Sequence, residues 1–307
     1  MIEVKNLKKS FSDKEVLKGL SFSIQNGEFY GLLGPNGAGK TTTISILSSL
    51  LPTEFGEIRI DNLDLKTDTN KIKRIIGVVP QESALYNELS AMENLKFWGS
   101  LYSITGKELH HRATELLQLV GLEERKDEKV KNYSGGMKRR INIAAALVHK
   151  PKILFMDEPT VGIDPQSRNL IYEIIEKQKK EGVTIIYTTH YMEEAERFCD
   201  RIAIIDEGNI IAEGTMEELK KDNAVKETIA IHFSKLSEAN RIAIKGFWKE
   251  ITVSENLIHF YSSDVKNDLP KLINYCNQLG LEIVNIEILK INLETIFLNL
   301  TGKQLRD

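Results

Sequence analysis

"GPNGAGKTT", residues 34–42, decides the fold of this chain. The stretch fits G-x-x-x-x-G-K-[ST]. It lies between the apolar run "FYGLLG" and a segment with helical character over residues 40–51. Its glycines let the backbone curl until successive N–H groups point inward, the geometry of a phosphate cradle. Lys40 adds a point charge suited to β/γ-phosphates, and Thr41 offers a hydroxyl to Mg²⁺. The helix start contributes its positive dipole end. A plain glycine-rich turn would not need the strand before and the helix after.

Working outward, "ILFMDEP" (153–159) sets two carboxylates at the end of a short apolar strand. Acids often end strands for structural reasons. Behind a phosphate loop, Asp157 reads as a Mg²⁺ holder through water and Glu158 as the general base for an attacking water. His190 ends another apolar strand, "TIIYTTH", and suits a hydrogen bond to a γ-phosphate; a lone His is otherwise usually structural. Glu193 and Glu194 follow it in the first turn of a helix, where the dipole favours acids. Gln81, after "IIGVVP", offers a neutral amide to a metal or a water; in isolation it says almost nothing.

A second phosphate-like stretch, "NYSGGMKRR" (132–140), precedes the apolar helix "INIAAALVHK". Ser134 can cap that helix and leave its first N–H groups for an anion. The basic run Lys138–Arg140 reads as exposed helix surface. His110 and His111 are adjacent, so on a helix they diverge and make a poor metal pair. "EERKDEKVK" (123–131) reads as a solvated face, and Trp98 and Trp248 as packing.

The chain has 307 residues, room for about two domains. It is 41% hydrophobic and 28% charged, enough apolar material for sizeable cores. A net charge of −3 gives no sign of nucleic-acid binding. Cys199 and Cys276 stand far apart, which argues against a disulfide framework and fits a reducing cytosol. The N-terminus lacks the apolar core of a signal peptide. No uncharged apolar stretch reaches the roughly 18 residues of a membrane span. If the protein works at a membrane, another subunit must cross it.

Residues 1–33 read as strands, 88–121 as a helical insert, and 152–214 as strand–helix alternation ending in a hairpin at "EGN". "TMEELKKDN" marks a boundary. Beyond it we expect strand 226–233, helix 236–245, strands 247–253 and 256–262, helix 264–279, strand 283–289 and a short helix. That is a βαββαβ plan for a small α+β domain.

Phosphate loop, glutamine, "SGG", strand-end acids and strand-end His come in the order found in ATP-binding cassette (ABC) transporter ATPases, and over residues 1–221 the chain resembles that family. The resemblance implies an α/β P-loop NTPase cassette. It would have an N-terminal antiparallel β subdomain, a RecA-like core and a helical subdomain at about 82–150, with 222–307 as an accessory α+β domain. It implies ATP and Mg²⁺ as cofactors. Gly34, Pro35, Asn36, Gly37, Ala38, Gly39, Lys40, Thr41 and Thr42 would bind phosphates, and Phe11 would stack on adenine. Thr41, Gln81 and Asp157 would hold the metal. Glu158, His190, Gln81 and Lys40 would serve catalysis. Ser134, Gly135 and Gly136 match the signature motif and would serve the ATP of a second copy; Asp164 matches the D-loop and would also bind nucleotide.

Tyr133 and Met137 depart from the usual Leu and Gln/Glu around "SGG", and Ile163 from Leu; the polar chemistry stays intact. "YSGGMKRR", "TTHYMEEAE" and the tail "NLETIFLNLTGK" resemble the branch that pairs with ABC-2-type membrane subunits in drug-resistance, sodium-efflux and lipid or polysaccharide export. The resemblance therefore implies a homodimer or cassette heterodimer, cytoplasmic and peripheral on the inner membrane face through a separate ABC-2-type permease, with no nucleic acid. A ribosome- or DNA-acting cassette is the alternative. One phosphate loop and no long heptad run argue against it. Intact Glu158 and His190 argue against a purely regulatory subunit.

Overall fold

The computed structural model describes residues 2–12, 14–222, 227–248, 251–262, 264–289 and 292–301. Residues 226, 249 and 250 of the expected strands, and 302 and 303 of the tail, lie outside the described residues. Two compact units divide the chain between Met216 and Glu217.

The first unit opens with strands β1 (Ile2–Phe11), β2 (Lys14–Ile24) and β3 (Phe29–Leu33), then helix α1 (Lys40–Leu47). β4 (Phe55–Ile60), β5 (Leu63–Asp64), α2 (Thr69–Ile75) and β6 (Ile76–Val79) follow. Three helices come next: α3 (Ala91–Leu101), α4 (Gly106–Leu119) and α5 (Gly135–Leu147). Then β7 (Ile153–Asp157), α6 (Pro165–Lys180), β8 (Thr184–Thr189), α7 (Met192–Phe198), β9 (Arg201–Asp206) and β10 (Asn209–Gly214) complete it.

One sheet is antiparallel, in the order β2-β1-β4-β5. The other runs β10-β9-β3-β8-β7-β6, with only β10 antiparallel. β3, β7 and β8 are buried along their whole length, which is why they read as continuous apolar runs. Alternate residues serve opposite faces. Phe29, Met156 and Tyr187 pack with helical residues such as Leu95, Leu117 and Ile141. Tyr30, Phe155 and Ile186 pack with Ile2, Leu20, Ile58 and Ile44. α3 starts at a capping box, in which Ser90 accepts from the Glu93 N–H and the Glu93 carboxylate accepts from the Ser90 N–H.

Local differences from the sequence reading have simple causes. α1 stops at Leu47, because the N–H groups of Leu50 and Leu51 turn back to the Ser45 carbonyl. α2 is too short to show a helical period in sequence. The solvated link contains two 3₁₀ turns, and Val130 is buried.

Helix α8 (Met216–Asp222) leads into the second unit. There β11 (Glu227–Phe233), α9 (Glu238–Phe247), β12 (Ile251–Val253), β13 (Leu257–Ser262), α10 (Val265–Gln278) and β14 (Ile283–Leu289) realise the βαββαβ order, and α11 (Leu293–Thr301) ends it. The sheet order is β12-β13-β11-β14, all antiparallel. Ile229 and Ile231 on β11 face Phe260 and Ile258 on β13, and Ile288 and Ile286 on β14. Ile229, Ile231, Ile258, Phe260 and Ile286 form the wall on which Ile244 of α9 and Leu272 and Cys276 of α10 pack, while Ile288 stays half exposed. Trp248 packs edge-on against Phe260, ring centroids 4.7 Å apart.

Candidate nucleotide site

Four neighbouring parallel strands end on the same side, where ligands bind in open α/β sheets. β3 leads into Gly34–Thr42, β8 into His190, β7 into Asp157 and Glu158, and β6 into Gln81. Residues 40 to 190 in sequence therefore converge at one edge.

The loop after β3 curls through positive φ at Gly37 (84°) and Gly39 (110°). A Cβ at Gly34 would stand 2.2 Å from the Ile205 carbonyl oxygen, so only glycine passes there. Lys40, 4% exposed, points its Nζ at the Gly34 carbonyl (2.8 Å), the Pro35 carbonyl (3.2 Å) and Glu158 Oε1 (3.2 Å). His190 Nδ1 lies 3.3 Å from the same Glu158 oxygen, and Gln81 Nε2 faces Glu158 Oε2 at 3.5 Å. Asp157 is buried, and its Oδ1 accepts the Thr188 hydroxyl at 2.5 Å.

Lys40, Gln81 and Glu158 border a cavity of about 390 Å³; Asp157 and His190 sit behind that lining, joined to it through Thr188 and Glu158. Phe11, Asn36, Gly37, Gly39, Lys40, Thr41, Thr42, Gln81 and Glu158 line it. Lys14 and Val16 also line it, and sequence reasoning missed both. They sit on a strand of alternating pattern, where nothing marks one lysine among many. Phe11 is 45% exposed, an open ring rather than a core residue.

Ser134, Gly135, Gly136 and Asp164 do not line that cavity. Gly136 instead lies against the start of α6, where a Cβ on it would stand 3.1 Å from Asp164 Oδ2. Ser134 caps α5, its Oγ accepting from the Met137 N–H at 3.3 Å. Asp164 caps α6, its Oδ1 accepting from the Ser167 N–H at 2.9 Å, and that backbone bond holds its carboxyl below the usual range. A Cβ at Gly136 would stand 2.1 Å from Ser167 Oγ, so the two helix starts require glycine there. Gly135 is different. A Cβ there meets nothing within 4 Å, and its φ is not positive.

The basic run departs from expectation. Arg139 and Arg140 are buried, not helix surface. α5 is enclosed on most of its circumference, so its arginines satisfy distant carbonyls. Arg140 donates to Val120 O. Arg139 donates to Pro80 O (2.5 Å), Glu158 O (2.6 Å) and Pro159 O (2.7 Å).

Glu194 does more than match a helix dipole. It is buried and accepts hydroxyl hydrogens from Thr160 (2.6 Å), Tyr172 (2.7 Å), Tyr187 (2.8 Å) and Thr189 (2.9 Å). This pins the strand end that carries His190. Burial first, then the Glu194 carboxylate, raises both tyrosine hydroxyls above their ordinary pKa.

The sequence profile described as ABC transporter matches residues 17–161. The chain is 46% identical, over the full length of both proteins, to the linearmycin resistance ATP-binding protein LnrL of Bacillus subtilis. It is 39% identical to the Nod factor export ATP-binding protein I of Burkholderia lata, across all of this chain and 98% of that one. The dimeric post-hydrolysis structure of the cassette MJ0796, bound to ADP and Pi, superposes with a TM-score of 0.65 at 30% identity; 70% of this chain and 99% of that chain are covered. This chain belongs to the ABC transporter family, as one of its ATP-binding, ATP-hydrolysing cassettes.

Proposed function

We propose that two copies close head to tail around two ATP molecules and so drive a separate ABC-2-type permease, in export, at the inner face of a membrane. Gly135 carries the shared-site part of this reading. Among the described residues its missing side chain has no reason, since neither space nor φ demands glycine. An approaching second molecule supplies the reason. Ser134 beside it is exposed and caps α5, at a helix start whose first N–H groups have no carbonyl partner within the helix and suit an anion.

Within each site, Phe11 stacks on the adenine, and Lys40 and the loop amides hold the phosphates. The oxygen donors Thr41, Gln81 and Asp157 fit a hard cation such as Mg²⁺. Bound there, Mg²⁺ supplies charge neutralisation at the β- and γ-phosphates. Glu158 takes the proton of the attacking water, and His190 hydrogen-bonds the γ-phosphate. Positioning and electrostatics then do most of the work of phosphoryl transfer. Phe11→Ala is expected to weaken ATP binding about tenfold, from the loss of one ring–base stack, with kcat changed much less. Titration with a fluorescent ATP analogue checks this.

A second cavity, about 330 Å³, supports a permease partner. It lies beside β6, lined by Leu50, Val78, Pro80, Trp98, Asn142 and His149 among others. Trp98 Nε1, Asn142 Nδ2 and His149 Nδ1 are buried polar atoms without a hydrogen-bond partner among the described residues. Buried polar atoms are ordinarily hydrogen-bonded, so these three call for a water or a partner's polar group in the groove. Pro80 ends this groove and Gln81 enters the nucleotide cavity, so one strand end touches both. A photo-crosslinking residue at Leu50, in native membranes, is expected to capture an integral protein of several spans. Capture of soluble proteins only would contradict the reading. The similarity to resistance and Nod factor export proteins supports the outward direction.

A further inference from the structure

We propose that Arg139 is a positioning residue for the hydrolysis step: it fixes the backbone of Glu158 and ties the peptide before Gln81 to it. The inference rests on the reading of Glu158 as general base.

Glu158 has φ of 44°, in the left-handed region. A non-glycine residue is strained there and persists only where its surroundings over-determine it. Both sides of Glu158 are held. Its N–H faces the Thr188 carbonyl (3.2 Å) and the Thr188 hydroxyl (3.0 Å). Its carbonyl accepts from Arg139 Nη2 at 2.6 Å. The same guanidinium reaches Pro159 O through Nε and Pro80 O through Nη1, and stands 3.4 Å from Asp157 O. One planar group thus spans two chain segments, 80 and 157–159.

The choice of Arg is chemical. Its five N–H donors diverge in a rigid fork, so they can meet carbonyls on different segments at once. A lysine ammonium keeps the charge but concentrates its donors at one point. It would leave some of these buried carbonyls unpaired and release one segment from the other. Without that grip the Glu158 peptide is free to leave its left-handed conformation. The carboxylate then swings away from Lys40 and His190, which now lie 3.2 and 3.3 Å from it.

The test is a double-mutant cycle on the full chain. Wild type, Arg139→Lys, Arg139→Gln, Glu158→Gln and the two double variants are compared for kcat, KM and thermal midpoint, with single-turnover runs for the slow ones. Arg139→Lys is expected to lower kcat about 10²-fold, the scale of a small misplacement of a reacting group. KM should stay within about twofold of wild type, because phosphate binding is untouched. In the Glu158→Gln background the same change should cost less than about twofold, since the group it positions is already gone. Arg139→Gln should follow the same pattern. Equal losses in both backgrounds overturn the proposal, as does full retention of kcat by lysine. Wild-type turnover in Glu158→Gln alone would instead overturn the reading of Glu158.

Discussion

Glu158→Gln should lower kcat by about 10²–10⁴-fold, the range that a positioned general base contributes. ATP binding should survive. Glutamine has nearly the same shape, so the cavity walls stay in place. The change removes the negative charge 3.2 Å from Lys40 Nζ, leaving the ammonium its carbonyl partners at Gly34 and Pro35 and more freedom to serve phosphate. Affinity for ATP should therefore hold or rise while turnover collapses. In the proposed cycle hydrolysis reopens the closed pair, so ATP-bound dimers should accumulate. Steady-state turnover together with equilibrium nucleotide binding checks both halves. Unchanged turnover would remove Glu158 from the role of base.

Ser134→Arg should abolish turnover as thoroughly by another route. Ser134, Gly135 and Gly136 take no part in lining the cavity around Lys40. A chain acting alone should therefore lose only the Ser134 cap, about 1 kcal/mol of stability. If the stretch faces the ATP of a second copy, a long cationic side chain fills the space that Gly135 leaves open. Closure then fails. We expect a loss of kcat of at least about 10²-fold, comparable to removing anion-stabilising donors from an active site. Binding of ATP to the monomer should stay within about twofold of wild type, because no residue of the phosphate loop is touched. A variant that hydrolyses ATP normally would return the signature stretch to a structural role.

Much of the fold was legible because its signals are local. The phosphate loop needs glycines and lysine at fixed spacing, and it has them in the strand–loop–helix setting that the structure contains. Strands β7 and β8 announced burial on both faces by their unbroken apolar runs. The βαββαβ order of the second unit followed from alternation and breaks in period. What stayed hidden depends on distant partners. Arg139 and Arg140 read as surface because charge on a helix normally faces water, and the carbonyls that receive them lie up to 59 residues away. Glu194 read as a dipole match, since four hydroxyls from separate elements are invisible to any local window. Gly135 and Gly136 look alike in sequence. Only packing separates them: one touches Ser167, and the other touches nothing.

The central claim is that each ATP is shared by two copies of the chain. Sedimentation of Glu158→Gln with saturating Mg-ATP, beside the double variant Glu158→Gln/Ser134→Arg, tests it most directly. Glu158→Gln should be a dimer with ATP and a monomer with ADP, and the double variant a monomer under both conditions although it still binds ATP. A double variant that dimerises with ATP as readily as its parent would contradict it.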